Sequence, residues 1–302
     1  MSSNNSHPDS NALTYIKLSL VALLWGGTFI AGRLIAQQLP HMIAAFLRFA
    51  IALGFLLPLL KIQEGRLPKL SRQQFQATFA LGATGIFLYN LCFFAALSRM
   101  PAGRTALFVA LNPSVTALAL VLFMGEKLSW QRYLGIALAF FGASIVISRG
   151  ELWQFWRDIS QALGAGEMFM LCAVSAWAAY TIIGRHALKG LSPLAATTYA
   201  ALWGTLLLGM GAVLELPQLN LSHLTWQVWL ALLYLGAGGT FIGFVWYYQG
   251  VKQIGPARAA IFNNLVPVFG VSLAAILLNE PILKSMLLGG ALTIAGVFLT
   301  NR

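Results

Sequence analysis

The chain has 302 residues, of which 59% are hydrophobic and only 9% charged, with a mean hydropathy of +0.77. Soluble proteins carry roughly a quarter charged residues, so an ordinary soluble fold is excluded. The 19 Lys and Arg against 8 Asp and Glu give a net charge of +11. No dense basic stripe interleaved with aromatics accompanies it, which excludes nucleic acid as a partner and fits the cationic loops of membrane proteins.

A hydrocarbon layer of about 30 Å takes about 20 apolar residues per helical crossing. Residues 1–12 are polar and hold no Lys or Arg, so they lack the charged start of a signal peptide and are expected to form a disordered cytoplasmic tail. Uncharged windows at 73–98, 105–125, 190–214 and 259–279 anchor the count of crossings. Around them the sequence predicts helices at 13–36, 41–60, 75–97, 103–125, 130–148, 163–184, 193–214, 226–250, 257–278 and 284–301. The expected fold is an all-α integral membrane protein of ten transmembrane helices. Pro40, Pro68, Pro101, Pro193, Pro217 and Pro256 punctuate the connections. The longest connection, 149–162, holds Trp153, Phe155, Trp156 and Arg157, which suits an interfacial linker lying in the headgroup region.

The chain repeats itself. Shifted by 154 residues, Leu81, Gly82, Gly85 and Phe87 fall on Leu235, Gly236, Gly239 and Phe241. With the same shift Arg104, Pro113, Glu126, Gly135 and Gly142 fall on Arg258, Pro267, Glu280, Gly289 and Gly296, and at a shift of 152 Trp25 and Arg33 meet Trp177 and Arg185. Two repeats are therefore expected, at 13–148 and 163–302. Five helices in each force the second copy to enter the bilayer from the opposite side, so the repeats are inverted, an arrangement common among secondary transporters. Lys and Arg are in excess on the side of the two termini, which places both termini in the cytoplasm.

These residues also carry a family likeness. Pro256-Ala257-Arg258-Ala259-Ala260 with Pro267, Glu280, Gly289 and Gly296, its counterpart from Pro101 through Pro113, Glu126, Gly135 and Gly142, and Trp25-Gly26 and Arg48-Phe49 together resemble the EamA family of the drug/metabolite transporter superfamily. The likeness runs from about Leu13 to Arg302 and departs from the pattern at Trp177, which no Gly follows. It implies an exporter or permease for small metabolites, amino acids among them, in a plasma membrane such as the bacterial inner membrane. It does not choose the cargo.

Pro113 and Pro267 lie about 15 Å into their helices, near mid-bilayer, and as helix breaks they leave the carbonyls of Val109 and Asn263 without a donor. Freed backbone at that depth is tolerated where it lines a cavity. Asn112, Asn263 and Asn264 lie beside these prolines, and Tyr89 with Asn90, Trp246 with Tyr247, and the paired Trp25 and Trp177 supply aromatic walls with polar tips. Arg48, seven residues into its helix, is a candidate ligand for a carboxylate or a cation that snorkels to the interface. These residues form the expected substrate site. Glu126 and Glu280 are expected to sit at the N-terminal dipole of the next helix, and the paired glycines to serve close packing, within the chain or in a homodimer.

All eight carboxylates and four histidines fall in loops or near helix ends, so no midspan proton relay is visible, although Glu167 could still couple transport to protons. Cys92 and Cys172 lie in apolar segments, which supports neither a disulfide nor a metal site, and no cofactor is expected. A passive solute channel and a multidrug efflux carrier are the rival transport readings. An enzyme would need a nucleophile with its base or a metal cluster, and neither motif occurs.

Overall fold

The computed structural model describes residues 8–153, 163–187 and 190–300, and among them every regular element is helical. In chain order these are α1 (Pro8–Ala36), α2 (His41–Glu64), α3 (Arg72–Leu97), α4 (Ala102–Val109), α5 (Asn112–Met124), α6 (Trp130–Ile147), α7 (Ala165–Ala187), α8 (Pro193–Glu215), α9 (Trp226–Ile254), α10 (Pro256–Ile261), α11 (Leu265–Leu278) and α12 (Lys284–Thr300). Helix occupies all ten expected segments. By length and composition, eight described stretches can cross a membrane, or nine if α4 and α5, bent by 40°, count as one; α12 is apolar but has 17 residues. The chain is an integral membrane protein. Most of the expected interfacial linker lies outside the described residues, although Trp153 at its start is exposed.

Local chemistry sets the helix ends. Ser71 Oγ accepts from the Gln74 amide while Gln74 Oε1 accepts from the Ser71 amide, a reciprocal cap that starts α3. Ser192 caps α8 through the Ala195 amide, and Pro193 follows at the first helical position. Helix α5 ends at Gly125 and α11 at Asn279, both left-handed with φ of 66° and 52°. The two positions are equivalent in the repeat, and Asn is among the few residues besides Gly that tolerate such a turn.

Equivalent helices of the two halves pack against each other. A Cβ on Gly135 would lie 2.6 Å from Gly296 O, and one on Gly142 would lie 2.5 Å from Gly289 O. The contact is self-complementary, and because rising numbers on α6 meet falling numbers on α12, the helices run antiparallel. The glycine faces are thus filled within the chain. Helices α2 and α8 do the same: Glu215, at the end of α8, accepts from the Met42 and Ile43 amides at the start of α2, and Ser192 at the start of α8 donates to Glu64 at the end of α2.

The structure corrects one local expectation. Glu280 does not serve the helix that follows it; its carboxylate accepts from the Ala102 and Gly103 amides at 2.8 and 2.9 Å, at the start of α4 in the other half. Helix α4 is clamped there by Arg104 as well, whose guanidinium pairs with Glu167 at 3.0 Å and donates to the Ile147 carbonyl.

Candidate functional site

Two segments depart from α-helical winding at equivalent places in the repeat. Gly82–Leu88 within α3 and Tyr234–Ile242 within α9 are π-helical. Such turns leave backbone out of register and recur at functional sites. Their glycines let other helices come close: a Cβ on Gly85 would meet the Tyr180 ring, and one on Gly239 would meet Thr28. Trp25 Nε1 donates to the Gly239 carbonyl at 2.9 Å, so α1 is pinned to the π-turn of the opposite half.

Between these turns and the breaks at α4–α5 and α10–α11 lies a cavity of about 470 Å³. That is within the range of small-ligand pockets. Of the residues expected from sequence, Trp25, Arg48, Tyr89, Asn90, Asn112, Pro113, Trp177, Asn263 and Asn264 line it. Tyr247 stands behind the lining, its ring centroid 5.3 Å from that of Trp25 and its hydroxyl 3.4 Å from Asn263 Nδ2. Pro267 is buried away from the cavity, and Trp246 is half-buried and also outside its lining. Thr28, Phe29, Thr116, Thr181 and Phe244 line it without having been singled out, and Phe49, named only for the family likeness, lines it too. Helical spacing was the available signal for three of them: Phe29, Thr116 and Thr181 lie one turn beyond Trp25, Asn112 and Trp177.

Arg48 is the charged centre of the cavity wall. It is 9% exposed; its Nε donates to Thr240 Oγ1 at 3.2 Å and its Nη1 to Asn90 Oδ1 at 3.0 Å. Asn90 is anchored in turn by donating to the Ile86 carbonyl at 2.8 Å, and Thr240 by donating to the Leu235 carbonyl at 2.8 Å, both within the π-helical segments. The guanidinium also lies over the rings of Phe49 and Phe93, at 5.2 and 5.9 Å. These partners are neutral, and among the described residues the ion pair is Arg104 with Glu167, not Arg48 with an acid. Arg48 therefore does not snorkel to an interface but is held at the cavity by neutral groups.

The cavity is closed at one end of the bundle. Its lining extends to Glu126, Leu128, Arg132 and Thr300, at the end where α5 finishes, α6 begins and α12 finishes. The opposite end holds the Glu280 and Arg104 contacts around the start of α4, and none of these residues lines the cavity. Among the described residues no cluster of His, Cys, Asp or Glu could hold a metal ion.

The EamA-like transporter family matches residues 12–148 and again 164–302, once for each copy of the repeat. The chain belongs to the EamA-like transporter family. It is 28% identical to an uncharacterized transporter, YyaM, of Bacillus subtilis (strain 168), across 95% of this chain and 93% of that protein. It is 29% identical to a probable terminal-alkyne amino-acid exporter of Streptantibioticus cattleyicolor across 73% of this chain and 71% of that protein, and 25% identical to a probable amino-acid metabolite efflux pump of Salmonella typhimurium across 93% and 92%. A crystal structure of a protein 17% identical overlays 95% of this chain and 96% of its own with a TM-score of 0.63, which speaks for the fold. This EamA-type chain is a transporter and not an enzyme.

Proposed function

We propose that the chain is a secondary exporter or permease for a small carboxylate-bearing metabolite, an amino acid or related compound. It works by alternating access of two inverted five-helix repeats, with ten crossings of a plasma membrane such as the bacterial inner membrane and both termini in the cytoplasm. Arg48 carries this reading. A buried cation is costly unless paired, and neutral partners solvate it only in part. An anionic group entering the cavity supplies the missing charge and accepts from a guanidinium whose geometry suits a carboxylate. The relatives named as amino-acid exporters support the same class of cargo.

Alternating access is supported by the closed end at the start of α4 and by the antiparallel pairing of equivalent helices, which two near-equal halves can use to rock about a shared cavity. In the proposed orientation the cavity faces the cytoplasm. A passive channel would need a lining continuous through both ends. A cationic drug would meet a charge of its own sign at Arg48 and be repelled by it.

The test is counterflow into liposomes reconstituted with the purified protein and screened across amino acids and other carboxylates. Saturable flux stimulated by substrate on the opposite side supports a carrier, whereas linear, conductive flux overturns it. Arg48→Ala is expected to abolish transport of the carboxylate at unchanged expression. Transport retained in that variant removes the assignment of Arg48.

A further inference from the structure

We propose that Thr116, Ala178 and Ala260 form a second gate, which closes when the cavity opens at its other end, and that the bulk of Thr116 and Ala178 keeps the empty protein in the arrangement seen here. The inference rests on alternating access between the two halves. It adds the residues that meet in the opposite state and the reason one state is preferred.

The closed end has a layer of small residues. A Cβ on Gly270 in α11 would lie 2.5 Å from Ala106 Cβ in α4, and one on Gly26 in α1 would lie 2.7 Å from Phe269 Cβ and 2.9 Å from Gly270 N. Three helices therefore meet there at backbone distance, and Ala106 is fully buried. The repeat carries this layer to the open end: at a shift of 154 residues Ala106 falls on Ala260 and Gly270 on Thr116, and at 152 Gly26 falls on Ala178. There the layer is apart. Thr116 and Ala260 both line the cavity, Ala260 is exposed, and α5 lacks along α10 the packing that α11 has along α4.

Near-equal inverted halves exchange their arrangements in the opposite state, which brings Thr116 onto Ala260 beside α7. The hydroxyl does not oppose this. Thr116 Oγ1 already donates to the Asn112 carbonyl at 2.7 Å, so no donor is stranded when the layer dries. Volume does oppose it. Carbon atoms settle about 3.5–4.0 Å apart, so a Cβ at Thr116 or Ala178 cannot repeat an approach of 2.5 or 2.7 Å, and α5 must stand off by roughly 1 Å. A gap of that size forfeits about a quarter to a half of the attraction between facing atoms. The second gate closes less tightly than the first, and the state with Gly26, Ala106 and Gly270 in contact is the lower one.

The test uses the full-length protein in liposomes with Cys92→Ala and Cys172→Ala, so that introduced thiols stand alone. Thr116→Cys is combined with Ala260→Cys and oxidised by copper phenanthroline. A disulfide needs Cα atoms within about 7 Å, so its formation reports the closed second gate. It is read as the loss of both thiols in the unfolded chain. Formation is expected to be slow, and faster by about threefold or more with Gly270→Ala, which puts a methyl group into the first gate. Ala178→Gly should speed it as well by easing the second gate; it adds no volume and guards against a folding defect in Gly270→Ala. Gly54→Ala, with nothing within 4 Å of the added carbon, should leave the rate unchanged.

No disulfide in any background, or one that forms as fast without Gly270→Ala and Ala178→Gly as with them, would overturn the proposal. The cross-link needs no cargo, so it is read independently of counterflow, and the expected pattern supports the gate even where no amino acid is carried. Saturable counterflow of amino acids with no disulfide overturns the gate and leaves the carrier standing. Linear, conductive flux that persists through the cross-linked protein overturns both.

Discussion

Glu280 and Gly103 meet across the two halves of the molecule, the carboxylate at the end of α11 accepting the first free amides of α4 from Ala102 and Gly103. In the repeat, Glu280 corresponds to Glu126, Ala102 to Pro256 and Gly103 to Ala257. Proline has no amide hydrogen, so the second half cannot form the same two-pronged contact. The clamp at the closed end therefore has no full counterpart at the other, a chemical asymmetry built into two otherwise similar copies.

Glu280→Gln is expected to lower stability by about 1 kcal/mol, since it removes a charged cap from a helix start and turns one of its two acceptors into a donor. Ala102→Pro, which copies the second half, should cost a similar amount while α4 still forms, because proline suits the first position of a helix. Thermal unfolding in detergent checks both. An unchanged midpoint for both variants would show that the contact contributes nothing to closure.

Gly142→Ala should be severe for its size. Its Cβ would lie 2.5 Å from Gly289 O and 2.6 Å from Thr293 N, which are backbone atoms that cannot turn aside. Forcing α6 from α12 is expected to cost about 1–3 kcal/mol or more, the range for overpacking. Gly54→Ala is the control: nothing lies within 4 Å of the added carbon, and the substitution should be neutral or stabilise the helix by up to about 1 kcal/mol. The contrast can be measured by the yield of monodisperse protein after mild heating.

The buried pair of Arg104 and Glu167 makes a third case. Arg104→Met or Glu167→Gln alone leaves a charge without its partner and is expected to destabilise by about 3 kcal/mol or more. The double variant should recover a large part of that loss. A double-mutant cycle by chemical or thermal unfolding reads the coupling, and additive losses would mean that the two side chains do not act as a unit.

Asn90→Leu is expected to damage the cavity more than Thr240→Val. Both remove a partner of Arg48 that is anchored to a π-helical segment, but Asn90 makes the shorter contact, 3.0 against 3.2 Å, and lines the cavity, which Thr240 does not. The cost should be about 2 kcal/mol for Asn90→Leu, the range for a hydrogen bond to a charged group. In the counterflow assay Asn90→Leu should lose most of the flux and Thr240→Val only part of it. The reverse order would place the main support of Arg48 on α9.

The membrane class, the duplicated halves and the positions of the helices could be found in the sequence because they depend on additive properties. Hydropathy summed over a window reports the preference for lipid, and paired Arg, Pro, Glu and Gly residues report duplication without any contact being known. Much of the cavity wall was visible for the same reason. Proline and asparagine in an apolar helix mark polar backbone that must find a partner, and Asn112, Pro113, Asn263 and Asn264 do line the cavity.

What the sequence could not decide is which face of each helix turns inward and which partner a polar group finds. Tyr247 and Trp246 are neighbours on one helix, yet only Tyr247 packs on Trp25, behind the lining. Glu280 could have served the next helix and instead crosses to α4, and Arg48 could have reached an interface and instead lies between Asn90 and Thr240. Each outcome depends on groups 42 to 222 residues apart along the chain, from Arg48 with Asn90 to Trp25 with Tyr247. A one-dimensional pattern records how much a residue prefers burial, whereas the direction of a hydrogen bond is fixed only once distant helices have packed.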